Sequence, residues 1–104
     1  MEKMPKTFLL IQERFGPVME ALKKLGQATL EAGPIDRKTA HLVQLAAAAA
    51  LRSEGAVHSH ARRAMESGST LEEIRHALIL LTPTIGFPTV AAALSWVDDK
   101  NPAK

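Results

Sequence analysis

The sequence of 104 residues contains no cysteine. Disulfide bonds, thiol nucleophiles and thiolate metal ligands are therefore excluded for this chain. It also contains no tyrosine, one tryptophan and three phenylalanines, so few aromatic rings are available to stack on nucleic-acid bases. The 13 basic residues are dispersed among 11 acidic residues, which gives a net charge of +2. We expect no nucleic-acid partner, because neither a stacking surface nor a continuous basic surface is indicated.

The sequence also lacks an uninterrupted membrane-spanning pattern. The stretch from Ala77 to Val97 carries no charged residue and has about the length needed to cross a bilayer. Pro83, Gly86 and Pro88 interrupt it, which favours two short buried helices over a membrane span. Met1–Lys6 lacks the apolar core of a signal peptide, so we expect a cytoplasmic protein without membrane contact.

Helical patterns extend over most of the chain, whereas the alternation typical of β-strands is missing. The predicted helices cover about 6–14, 16–32, 37–52 and 56–67, a segment after the capping box Thr70–Glu73, and about 88–98. We therefore predict an all-α fold of about six helices in a single domain, residues 1–104. Apolar residues make up 46 % of this short chain, so we expect burial between subunits of a homo-oligomer.

Four motifs follow one another in a characteristic order. They are Gly16-Pro17, Asp36-Arg37-Lys38-Thr39, the segment from His60 to Ile74, and Gly86-Phe87-Pro88 followed by three alanines at 91–93. Over roughly 15–98, their order and spacing resemble the carboxymuconolactone decarboxylase family, which includes the alkyl hydroperoxidase D enzymes. The resemblance implies an alkyl hydroperoxidase D-like helical fold and assembly into trimers or hexamers.

In the resemblance, His60 takes the place of the family's histidine. The residues around His60 depart from both known patterns of that family. In the redox members, cysteines stand seven and four positions before the histidine, where this chain has Ser53 and Ala56. A glutamate stands nineteen positions before it, where this chain has His41. The lactone decarboxylases carry an acidic residue at the place of Ala56 and an arginine at the place of His58. The chain therefore matches neither pattern, and thiol peroxidase chemistry is not expected.

Five residues are candidates for a functional site. His60 is the first catalytic candidate, since the resemblance places it at the family's histidine and an imidazole suits proton transfer at neutral pH. His41 is the second, and would face His60 as the family's glutamate does. Arg52 and Arg63 could bind a substrate carboxylate through paired donors. Ser53 could contact substrate, or act as a nucleophile with His60 as its base. The structural alternatives are histidines bonded between helices, solvated arginines and a capping serine.

The favoured hypothesis is a non-redox lyase or hydrolase that acts on a small carboxylated, lactone-like compound, with His60 as general acid and base. A non-catalytic oligomer that binds a small ligand, or none, is the alternative. A peroxidase is less favoured, because no thiol can carry a sulfenic acid. We expect neither a cofactor nor a metal. A metal ion held by His41, His60 and Glu54 is a further, less favoured alternative.

Overall fold

The computed structural model describes residues 5–101, and this part of the chain is helical without any strand. The helices are α1 Lys6–Arg14, α2 Gly16–Glu31, α3 Arg37–Ala50, α4 Glu54–Glu66, α5 Leu71–Ile79, α6 Thr82–Ile85 and α7 Phe87–Lys100. The all-α prediction is confirmed. The six predicted helices correspond to α1–α5 and α7. The additional α6 is a single turn, which Pro83 permits because proline fits the first turn of a helix.

The fourth helix begins earlier than the sequence suggests. We predicted its start at Ala56, because glycine at 55 disfavours helix. The structure places the start at Glu54, with Ser53 at the N-cap position. A glycine costs little in a first turn, and the carboxylate of Glu54 is favourable at the positive end of the helix dipole.

The chain divides into two compact units, one ending at Pro34 and the other beginning at Ile35. In the first unit α1 and α2 contact each other, and neither helix contains a buried residue. Their exposed large apolar side chains are Leu9, Leu10, Ile11, Val18, Leu22 and Leu25. A single domain over residues 1–104 stays a prediction.

The second unit is built around the hairpin of α3 and α4, against which α5 and α7 pack. Its core consists of small and medium side chains: Leu45, Ala48, Ala49, Val57, Ala61, Ala64, Ile74, Leu78, Ala93 and Val97. Alanines on both facing helices allow the α3 and α4 backbones to approach closely. The connection 51–53 is short, so the two helices run antiparallel. The beginning of α3 therefore lies beside the second half of α4.

Two side-chain caps and an ion pair hold the starts of α3 and α5 in place. The Asp36 side chain accepts a hydrogen bond from the Thr39 amide at 2.9 Å, and Thr70 and Glu73 form the predicted capping box. Glu73 also pairs with Lys38 of α3 at 2.9 Å. These contacts fix the start of α3, where one of the candidate histidines lies.

The uncharged stretch 77–97 is divided among α5, α6 and α7. Within residues 5–101, no helix combines the length and the apolar character that a bilayer crossing requires.

Candidate functional site

His41 on α3 and His60 on α4 lie side by side in the second unit. Their ring centroids are 6.3 Å apart and their planes are inclined by 31°. His41 is only 6 % exposed, and His60 is half-buried. Each ring has a buried Nδ1 atom with no hydrogen bond from residues 5–101. The structure thus brings together the two histidines that the sequence singled out, and the Nδ1 atom of each ring is buried without a hydrogen-bond partner among the described residues.

Both imidazoles are shifted towards their neutral form. Burial is the main cause that lowers the pKa of His41. A hydrogen bond with the Gln44 side chain opposes it, and the charges of Arg63 and Arg37 lower that pKa further. Burial, Arg63 and then His41 lower the pKa of His60. Since an unperturbed histidine has a pKa of about 6.5, a lowered pKa favours the neutral form of both rings at pH 7. A neutral imidazole offers one donor and one acceptor nitrogen, as a proton-transfer group requires.

Arg63 is the predicted substrate-binding residue that the structure places beside this pair. It follows His60 by three positions on α4, its side chain is exposed, and its charge acts on both imidazoles. A guanidinium in this position can pair with a carboxylate while the histidines contact the same molecule.

Arg37 is a charged neighbour that the sequence reasoning missed. It opens α3, four positions before His41, and its charge lowers the pKa of that histidine. The spacing of four positions would have placed both side chains on the same face of α3, and is the signal that was available.

Arg52 and Ser53 lie away from the histidine pair. Arg52 is in the turn after α3 and donates a hydrogen bond to Oγ1 of Thr89 on α7 at 2.8 Å. Ser53 is at the N-cap of α4, seven residues before His60, which corresponds to about 10 Å along the helix. This separation is too large for His60 to take a proton directly from the Ser53 hydroxyl. Substrate binding by Arg52 and Ser53 stays a prediction of the sequence.

The structure does not assemble the metal ligands considered above. Oε2 of Glu54 lies 3.7 Å from Nε2 of His58. Positions 54 and 60 are about 120° apart around α4, so Glu54 does not share the face of His60. No group of three or more metal-binding side chains occurs within the described ranges of the chain.

Comparison with known proteins identifies the family of this arrangement. The model of the carboxymuconolactone decarboxylase family matches residues 16–99, which include α2 to α6 and nearly all of α7. No curated protein and no solved structure matches the chain. The matched region contains both histidines and all three candidate binding residues, while the chain has no cysteine. The chain therefore belongs to the carboxymuconolactone decarboxylase family, as a member without thiols.

Proposed function

We propose that this protein is a non-redox enzyme that acts on a small carboxylated, lactone-like compound through proton transfer at His60. One observation carries the proposal: two shielded imidazoles lie 6.3 Å apart beside the charge of Arg63. Acid–base catalysis at neutral pH requires a group that is mainly unprotonated and can be protonated during the reaction. The lowered pKa of His60 meets the first condition, and its half-buried position meets the need for substrate access.

Each residue then has a distinct part in the reaction. His60 takes a proton from a carbon next to a carbonyl group, or returns one to it, which is a step common to lyases of this kind. His41 donates a hydrogen bond to the carbonyl oxygen on which negative charge develops. Arg63 pairs with the carboxylate and fixes the orientation of the substrate.

The second candidate is an oligomer that binds a ligand without transforming it. Ala56 and His58 stand where the lactone decarboxylases carry charged residues, and this departure favours a loss of catalysis. Peroxidase activity is the third candidate and is disfavoured, because the chain has no thiol for peroxide to oxidise.

The decisive experiment is proton exchange in D₂O, followed by proton NMR, with a panel of small carboxylated lactones and 3-oxo acids. Exchange of the hydrogen next to the carbonyl reports proton abstraction even when the compound is not the natural substrate. We expect His60→Gln to reduce the exchange rate by about 10²- to 10⁴-fold. His58→Gln is the matched control, since it removes an imidazole from the other flank of α4 and should leave the rate within about twofold. Equal rates for the wild type and His60→Gln would contradict the proposal and favour the non-catalytic candidate.

A further inference from the structure

The separation of the two histidine rings restricts what can lie between them. A direct N–H···N hydrogen bond of about 3 Å, added to two ring radii of about 1 Å each, allows centroids to be about 5 Å apart at most. A tetrahedral metal ion with nitrogen bonds of about 2 Å would also bring the centroids to about 5 Å. The observed 6.3 Å exceeds both values.

A single bridging oxygen atom fits the observed separation. If one nitrogen of each ring makes a hydrogen bond of about 2.8 Å to the same oxygen at a tetrahedral angle, the centroids lie about 6 Å apart. Each ring has a buried, unbonded Nδ1 atom that such an oxygen would satisfy. Buried polar atoms normally have a hydrogen-bond partner, so the geometry and the hydrogen-bonding requirement indicate the same occupant.

The charges around the pair favour an anionic oxygen over a neutral one. Arg63 acts on both rings and Arg37 acts on His41. Glu66 is the carboxylate that opposes them at His41, and it lies 3.8 Å from Nε of Arg62 on the same helix.

The charged residues of α5 and α7, the helices packed against α3 and α4, do not outweigh the positive charges near the histidine pair. Glu73 of α5 is bonded to Lys38, and Asp98 of α7 is bonded to Arg75 at 2.8 Å. His76 of α5 is exposed, as are Glu72 and the remaining charged residues of α7. The charges that act on the two rings are therefore mainly positive, with Arg63 common to both.

We propose that His41 and His60 bind one oxygen atom of an anionic ligand, such as a carboxylate or an enolate, between their rings, and that one proton enters the site with it. The inference rests on the proposed function, because it describes how the same site holds its substrate. An anion within hydrogen-bond distance stabilises an imidazolium, so one ring becomes charged on binding. The second ring stays neutral, because two adjacent cations repel each other. A histidine at position 41 can donate a hydrogen bond to the anion, whereas a carboxylate there would repel it.

Calorimetry with malonate as the probe tests the inference on the wild-type protein. Titrations at pH 7.5 in two buffers with different ionisation enthalpies give the number of protons taken up per malonate. We expect an uptake approaching one proton, and an affinity that falls by up to tenfold per pH unit at higher pH. The uptake should disappear at low pH, where the free site already holds a proton. Malonamide, which has a similar shape and no charge, should not bind.

Nuclear magnetic resonance identifies the rings involved without any substitution. In long-range ¹H–¹⁵N spectra, malonate should shift the imidazole nitrogens of both His41 and His60 and leave those of His58 and His76 unchanged. His41→Gln and His60→Gln should each weaken binding about tenfold or more, and the variant that lacks the ring that becomes charged should also lose the proton uptake. His58→Gln should bind as the wild type does. Circular dichroism checks that each variant is folded, and the wild-type spectra decide the matter if one is not.

Three results would overturn the inference: no malonate binding, binding without proton exchange, or a shift confined to one ring. Its failure is distinguishable from failure of the proposed function. Proton-coupled binding without any exchange of substrate hydrogen would refute catalysis alone. Exchange activity that depends on His60, together with malonate binding that takes up no proton, would refute the shared-oxygen site alone.

Discussion

At the scale of single residues, the site depends on histidines kept neutral by burial. Burial is the largest cause of the lowered pKa at both His41 and His60, and positive neighbours reinforce it. The family resemblance gave the position of His60, and the expectation that His41 faces it came from the place of a glutamate in other members. The separation of 6.3 Å could not be read from the sequence, because it depends on how closely two alanine-rich helices pack.

The first prediction at this scale concerns acid stability. A histidine whose pKa is lower in the folded state than in the unfolded state binds more protons when the protein unfolds. Stability should therefore be complete above about pH 7 and decrease as the pH falls below about 6.5, the unfolded value, until the folded values are reached. Urea unfolding between pH 5 and 8 measures this slope. The double variant His41→Gln/His60→Gln should show a flatter slope in that range.

A separate loss of folding stability is expected at lower pH, and it serves as an internal reference for the histidine effect. Hydrogen bonds from Thr39 lower the pKa of Asp36, and the Lys38 contact is the largest cause that lowers the pKa of Glu73. Stability from these carboxylates is present above about pH 4.5 and is lost as the pH falls further. If the double histidine variant kept the full slope between pH 5 and 7, the assignment to the histidine pair would be wrong.

At the scale of helices, sequence patterns indicate the N-terminal caps, whereas they indicate the C-terminal helix ends only in part. The predicted Thr70 capping box is confirmed, and the Asp36 side chain forms the N-cap of α3, as aspartate commonly does. The ends of α3 and α4 share one geometry, in which two amides bond back to carbonyls of the last turn. Gly68 occupies the left-handed position after α4 with φ 107°, where glycine is the usual residue, whereas Arg52 occupies it after α3 with φ 57°. An arginine there carries no sequence signal for a helix end, because only glycine adopts this conformation without strain.

The substitution Arg52→Gly tests whether the hydrogen bond from Arg52 to Thr89 stabilises the protein more than the left-handed backbone of Arg52 destabilises it. Relief of the left-handed conformation contributes about 1 kcal/mol, and loss of the exposed bond to Thr89 removes about 0.5 kcal/mol. We therefore expect Arg52→Gly to raise the free energy of unfolding slightly, by about 0.5 kcal/mol. Thr89→Val isolates the lost hydrogen bond, and Gly68→Ala, which introduces strain at the equivalent position, should cost about 1 kcal/mol. A clear destabilisation by Arg52→Gly that exceeds that of Thr89→Val would show that the contact outweighs the strain.

At the scale of the whole molecule, α2 of the first unit carries an apolar stripe that its contact with α1 leaves exposed. Val18, Leu22 and Leu25 are 62 %, 56 % and 60 % exposed and recur at helical spacing on one face. A stripe of this kind normally packs against another surface. We propose that it contacts further copies of the chain, in the trimer or hexamer that the family resemblance implies.

The final prediction concerns a charge introduced into the apolar stripe of α2. Leu22→Lys places a charge in the centre of the stripe, and burying an unpaired charge between subunits is costly. Native mass spectrometry and light scattering should show the wild type as a trimer or hexamer and Leu22→Lys as smaller species. Glu20→Lys adds a positive charge on the opposite face of α2, about 160° from Leu22, and should leave the assembly intact. A monomeric wild type would refute the oligomer. Equal dissociation by both substitutions would show that net charge, and not the apolar stripe, governs assembly.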